Sequence, residues 1–242
     1  MTIVTPDQVP GALLDVVVLH ARDAEAATAG GADRLLLAAE PEQGHYSPEP
    51  ATVLSVVRET ELPVWVVLRT HDEDFAHLVD LGARFLELGA QGLAFGFLDR
   101  DLEVDREACT ELRGELGEVS WAFHGFDALL DADRGWRDVM GLPGLESVIS
   151  GGSTRGLSHG SDELIARARS DRRVADLLLA GGGLTPDLVP WLVRAGVRRF
   201  GIGSSARAGG SWSRSDVDAG AVRAWRMLLD DALSRALGIP TD

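Results

Sequence analysis

Gly30-Gly31-Ala32-Asp33-Arg34-Leu35-Leu36-Leu37-Ala38 closes one element and opens another. The alanine-rich stretch 23–29 before it has helical composition, and a glycine just past a helix ends it by adopting φ > 0. The apolar run that follows is short and does not alternate with polar residues, the pattern of a strand buried on both faces. The junction recurs as Leu88-Gly89-Ala90-Gln91 and as Ala195-Gly196-Val197-Arg198. Each predicts a helix returning to the start of a buried parallel strand.

Working outward, eight such apolar runs are found, at 13–19, 34–38, 64–69, 92–96, 119–124, 146–150, 176–180 and 198–203. Helical patterns fill the gaps at 23–29, 50–60, 72–88, 105–116, 131–140, 161–169 and 216–237, and Thr185-Pro186 resembles a capped helix start. Ser161 serves as the expected cap of the sixth helix. A strand, a crossover helix and the next strand take about 30 residues. Eight units therefore fit one (β/α)8 TIM barrel spanning 1–242, a fold that typically takes about 250 residues. A doubly wound dinucleotide-binding sheet is the alternative. It calls for a glycine-rich turn after the first strand, and Leu19-His20-Ala21-Arg22-Asp23 has none.

The bulk properties narrow the function classes. The net charge of −15 argues against nucleic acid or an anionic membrane as partner. No apolar stretch is long enough to span a bilayer, and the N-terminal residues lack the basic and apolar regions of a secretion signal. Cys109 is the sole cysteine, which excludes an intrachain disulfide and fits a reducing, cytoplasmic setting. It falls mid-helix, where a buried, inert thiol is expected.

Chemistry in a barrel sits at the C-terminal ends of the strands. That rule selects His20, Glu40, Glu42, His45, Arg69, His71, His124, Asp127, the loop 150–153, Gly181-Gly182-Gly183 and Gly203-Ser204-Ser205. Gly182, Gly183, Gly203, Ser204 and Ser205 form an expected cradle for a small anion. Glycines let the backbone approach, and successive N–H groups can converge on oxygen atoms. Arg207 would add charge. Tight turns alone explain the same glycines equally well. His124 and Asp127 read either as an acid–base pair or as a structural hydrogen bond at the rim. Arg69 either clamps a carboxylate or phosphate or pairs with Asp15, a carboxylate inside an apolar strand that must be paired or shifted in pKa. His20, His45, His71 and His124 have no short metal-ligand spacing, so no metal site is assigned. Of the six tryptophans, Trp212 lies in a loop and reads as a lid or interface residue.

These pieces, in order, resemble the CutC copper-homeostasis family. The resemblance runs from Leu13 to Arg207. It is carried by Leu14-Asp15-Val16-Val17-Val18, Gly30-Gly31-Ala32-Asp33-Arg34-Leu35, residues 88–96, Phe123-His124-Gly125-Phe126-Asp127, Ser150-Gly151-Gly152, Ala180-Gly181-Gly182-Gly183 and Gly203-Ser204-Ser205-Ala206-Arg207. It implies a cytoplasmic (β/α)8 barrel, often a homodimer, that handles copper, with an activity that is poorly defined. Where the family carries cysteines this chain has Val17 and Ala38. Where it carries an acidic residue in the second strand, an arginine after the fifth-strand histidine and a histidine before the last glycine–serine motif, this chain has Leu36, Gly125 and Ile202. The loop after Arg69 is also shorter. Copper(I) favours thiolate and thioether ligands, and one helical cysteine with three scattered methionines supplies no such site. Copper is thus a cofactor by resemblance only. Two expectations follow: a CutC-like copper-homeostasis protein, or a barrel enzyme for a small phosphorylated or carboxylated metabolite using His124, Asp127, Arg69, Asp15 and the last two glycine loops. A third, a barrel kept only for an interaction, calls for an occluded mouth.

Overall fold

The computed structural model describes residues 11–71 and 74–239. Eight parallel strands close on themselves in sequence order, β1 (Leu13–Val18), β2 (Arg34–Leu37), β3 (Val64–Val67), β4 (Gly92–Phe95), β5 (Trp121–Phe123), β6 (Leu145–Ser150), β7 (Leu178–Ala180) and β8 (Arg199–Ile202). The architecture is a (β/α)8 TIM barrel. Closure is sealed by β1 against β8, with Asp15 opposite Gly201.

Around it stand α1 (Ala21–Gly30), α2 (Pro50–Glu59), α3 (Phe75–Glu87), α4 (Arg106–Glu115), α5 (Ala132–Val139), α6 (Leu157–Ser170), α7 (Arg172–Leu177), α8 (Val189–Arg194) and α9 (Ala219–Leu237). Gly31 ends α1 at φ 92°, its N–H donating to the carbonyls of Ala27 and Thr28, and Gly89 and Gly196 turn the chain with the same sign of φ. Asp74, Asp105, Asp131 and Asp218 start their helices by accepting a backbone N–H three residues on.

Helix boundaries differ from the sequence pattern at several places. α6 begins at Leu157, four residues before Ser161, because Leu157 is fully buried and its N–H donates to the carbonyl of Gly182. Thr185-Pro186 forms a turn, closed by the Leu188 N–H on the Thr185 carbonyl, and α8 starts only at Val189. α9 starts at Ala219, capped by Asp218, while Asp216 stays outside it. The short α7 carries too few residues to show a helical period, and it takes up Asp176 and Leu177 from the expected strand 176–180, which leaves β7 only Leu178–Ala180.

Two apolar layers result. The larger lies between strands and helices and contains Phe85, Phe95, Trp121, Phe123 and Phe200. Phe95 and Trp121 stack with ring centroids 4.3 Å apart. The smaller fills the barrel interior and consists of Leu36, Ala38, Trp65, Val67, Ala94 and Ala122, flanked by Val17 and Ile149. Three of these six are alanines. A Cβ on Gly92 would lie 2.4 Å from the Trp65 indole, so that ring occupies the space β4 leaves open. The floor of the site opens above this cluster, among Asp15, Val17, Ile149, Leu179 and Gly201.

Candidate functional site

A cavity of about 580 Å³ enters the barrel at the C-terminal ends of the strands. That is the size of a small-molecule site. Arg69, His45, His124, Asp127, the loops 153–156, 181–184 and 203–205, and Trp212 line its upper part, and Asp15, Val17 and Leu36 its lower part. An apolar side cavity of about 380 Å³, lined by Leu68, Leu78, Phe95 and Phe97, shares Arg69 and His124 with it.

The glycine loops lie where the sequence predicts. Gly182 and Gly183 have φ of 78° and 86°. The backbone N–H groups of Gly182, Gly183, Ser204 and Ser205 find no acceptor among the described residues. Gly203 is required for another reason. A Cβ there would sit 2.4 Å from the Trp212 ring, so the absent side chain admits the indole over the last loop. Trp212 in turn meets His45 edge to face at 5.6 Å.

Arg69 emerges beyond β3 and lies over the Tyr46 ring at 4.9 Å, with Nη1 donating to the Gly44 carbonyl at 3.3 Å. No carboxylate partners it among the described residues. The alternative pairing with Asp15 does not occur. Asp15 is held instead by Arg34, whose Nη2 and Nε donate to its Oδ2 at 2.6 and 2.9 Å. The reason is register: Asp15 and Arg34 are directly opposed on β1 and β2, both facing inward, whereas Arg69 lies beyond the strand end. Arg34 also stacks on Trp65 at 4.0 Å. Burial pushes the Asp15 carboxyl above its ordinary value, against the pull of Arg34.

Arg207 does not reach the anion cradle. Its Nη2 donates to Asp23 Oδ2 at 2.6 Å, and both side chains are essentially inaccessible. Asp23 also accepts the N–H groups of Leu19 and Val217. The pair ties α1 to the loop after β8, so Arg207 supports the mouth from beneath.

The expected His124–Asp127 pair is not formed. Asp127 accepts from Ser150 Oγ at 2.5 Å and from the Gly151 N–H at 2.7 Å, which turns its carboxylate toward the β6 loop. Burial raises its pKa, and those hydrogen bonds pull the other way. His124 faces His45 instead, with ring centroids 6.1 Å apart. Burial, with the neighbouring His45 and Arg69, drives His124 down to about 3, and burial and Arg69 lower His45 as well. Both imidazoles are therefore neutral near pH 7. The other two histidines do not join them. His71 stacks on Tyr46 at 3.9 Å and lies 3.3 Å from Glu40, while His20 caps α1 and lies 3.2 Å from Asp216.

Arg155, on the loop after β6, also lines the cavity and has no carboxylate partner among the described residues. The sequence pattern selects the loop 150–153 after the sixth strand but stops two residues short of Arg155, whose place on that same loop was the available signal.

A profile of the CutC family matches residues 12–206. The chain belongs to the CutC family. A family member from Klebsiella pneumoniae (strain 342) is 30% identical over 217 residues, covering 85% of this chain and 83% of its own. The human copper homeostasis protein cutC homolog is 29% identical over 183 residues, covering 72% and 66%. Among solved structures, a CutC protein of Streptococcus agalactiae superposes with a TM-score of 0.69 at 19% identity, over 79% of this chain and 98% of that one. Thiamine phosphate pyrophosphorylase from Pyrococcus furiosus superposes at 0.57 and 15% identity, over 92% and 97%. At these identities the two structures share the fold.

The donors of this CutC member do not fit copper(I). Cys109 is fully buried in α4, its thiol pushed up to about 12 and away from the cavity. Met140 packs against the core and Met227 points to solvent. Among the described residues, three potential donors come together only at His20, Asp23 and Asp216, and Asp23 is committed to Arg207. The mouth offers two nitrogen donors and no sulfur, a poor match to a soft ion.

Proposed function

We propose that this CutC member is an enzyme acting on a small phosphorylated or carboxylated metabolite bound at the barrel mouth. The observation that carries it is the pairing of unpartnered cations with unpartnered backbone donors. Arg69 and Arg155 line the same cavity as the free N–H groups of Gly182, Gly183, Ser204 and Ser205. Even in a chain of net charge −15, two arginines without carboxylate partners at the mouth offer an anion a local cationic contact. Phosphate at the last two βα loops is a recurring use of this fold.

Arg69 holds the anion, and the loops surround its oxygens. His45 and His124, neutral near pH 7, act as hydrogen-bond partners that polarise a substrate carbonyl or hydroxyl. A neutral histidine with a depressed pKa suits that role better than proton uptake. Asp127, with its raised pKa, is the group nearest to serving as proton donor or acceptor. Asp15 lies lower, at the cavity floor. The proposal also takes the chain as one domain, working in the cytoplasm as a homodimer.

The test is thermal denaturation in the presence of a panel of small phosphates and carboxylates. A ligand at free concentration c that binds only the folded state stabilises it by RT ln(1 + c/Kd) and so raises Tm with concentration. Expected are one or more compounds that raise Tm in the wild type and leave Arg69→Gln unmoved, followed by turnover of that compound. A panel that shifts neither protein, or both alike, contradicts the proposal.

A further inference from the structure

The floor of the cavity carries a buried acceptor that the fold leaves unused. Asp15 is 3% exposed, and Arg34 engages only its Oδ2. Asp15 Oδ1 is buried without a protein partner, and the residue lines the cavity. Ser147, in the barrel interior but outside the cavity lining, repeats the pattern. It stands opposite Ala122, which faces inward, and its Oγ is buried and unpartnered. Buried polar atoms nearly always find a partner, so one from outside the protein is expected here. The shaft above Asp15 opens beside Gly201, which faces Asp15 across β1 and β8, and Gly181, just past β7, both of which line the cavity.

Register fixes how far this floor lies from the mouth. Asp15 is opposite Gly201, and Gly203 lies two residues further along the chain, just past the end of β8. At about 3.3 Å per residue, the anion loop stands roughly 7 Å above the Asp15 layer. We infer that the site takes a bifunctional substrate, an anion held at the mouth and a terminal hydroxyl bonded to Asp15 Oδ1, joined by a chain of about four carbons. A hydroxyl suits this floor because it donates to a carboxylate and accepts from a carboxylic acid. Asp15, raised by burial, titrates between those two forms. The inference rests on the anion-binding mouth proposed above and adds the second end of the ligand.

The test is calorimetric titration with three probes, inorganic phosphate, butyl phosphate and 4-hydroxybutyl phosphate. In the wild type, 4-hydroxybutyl phosphate binds at least about tenfold more tightly than butyl phosphate, as a hydrogen bond to a charged group would give. Two variants remove that preference while inorganic phosphate binding persists. Asp15→Leu with Arg34→Met replaces the buried pair by apolar side chains of similar volume. Ile149→Phe narrows the shaft and leaves the pair intact, and it serves alone should the double variant not fold. Equal binding of the two alkyl phosphates by the wild type overturns the inference, water then being the only partner of Asp15 Oδ1. So does a hydroxyl preference that survives Ile149→Phe. Either result leaves inorganic phosphate binding, and the anion-binding mouth, standing. Absence of inorganic phosphate binding overturns the mouth and this inference together.

Discussion

His124 and His45 meet edge to face, ring centroids 6.1 Å apart, with Arg69 close enough to depress both. Two neutral imidazoles beside an unpaired guanidinium make a site whose charge is completed by what binds there. An incoming anion reverses the repulsion by Arg69 and raises both histidine pKa values.

Replacing Arg69 tests the cation directly. Arg69 is half-buried, bonds only a carbonyl and lies on Tyr46. Arg69→Gln should therefore leave the fold intact, with a Tm close to that of the wild type. Phosphate affinity should fall about 10- to 100-fold, the worth of a charge-assisted bond. Isothermal titration at low salt measures it.

The depressed His124 makes stability depend on pH. In the unfolded chain its imidazole titrates near 6.5, and in the folded protein at about 3. Between those values the unfolded chain binds a proton that the folded chain refuses. Stability therefore falls as pH drops through 6.5, and the loss levels off near pH 3. The expected size is on the order of 2–4 kcal/mol. The carboxyls of Asp15 and Asp127 are raised by burial and act in the opposite sense, favouring the folded state as pH falls. They are common to wild type and His124→Gln, so the difference between the two proteins isolates the imidazole. Urea unfolding from pH 4 to 8 should show the wild type losing that much more than the variant.

Asp23 and Arg207 are a buried ion pair. Either one, left alone, keeps backbone hydrogen bonds (the Leu19 and Val217 N–H groups to Asp23, Arg207 to the Ser215 carbonyl) but loses its opposite charge. Asp23→Asn or Arg207→Met alone strands the other charge and should cost about 3–5 kcal/mol. The double variant should recover a substantial part. Chemical denaturation of all four proteins gives the coupling. Losses that simply add would show that the pair contributes little.

Copper(I) offers a negative prediction. With two imidazoles and no sulfur at the mouth, the protein should lose a competition with a moderate copper(I) chelator. His45→Ala should change that result little. Stoichiometric retention of copper(I) would place a thiol or thioether site where the donors described here do not form one.

The barrel was legible because its evidence is local. Three glycine junctions and eight apolar runs each carry the pattern of a buried parallel strand, and all eight runs became strands. Helix starts were less legible where packing overrode capping chemistry, as at Leu157, whose burial outweighs the cap available at Ser161. Sequence order placed the glycine loops that line the cavity but not the side-chain partners within it. Asp127 follows His124 by three residues, but the chain turns at Gly125 (φ 89°) into a 3-10 turn at Phe126–Ala128, and the carboxylate meets Ser150. Arg34 was hidden from the functional reading because it starts a strand, where only register reveals that it opposes Asp15. The His45–Trp212 contact joins loops 167 residues apart and has no local signature.

The most direct test of an anion-binding mouth is a ¹H–¹⁵N NMR titration of the protein with inorganic phosphate. The amides of Gly182, Gly183, Ser204 and Ser205 should shift together along one saturating curve, and the His124 ring signals should report a raised pKa. Shifts that never saturate, that spread over the exposed surface, or that persist unchanged in Arg69→Gln would contradict it.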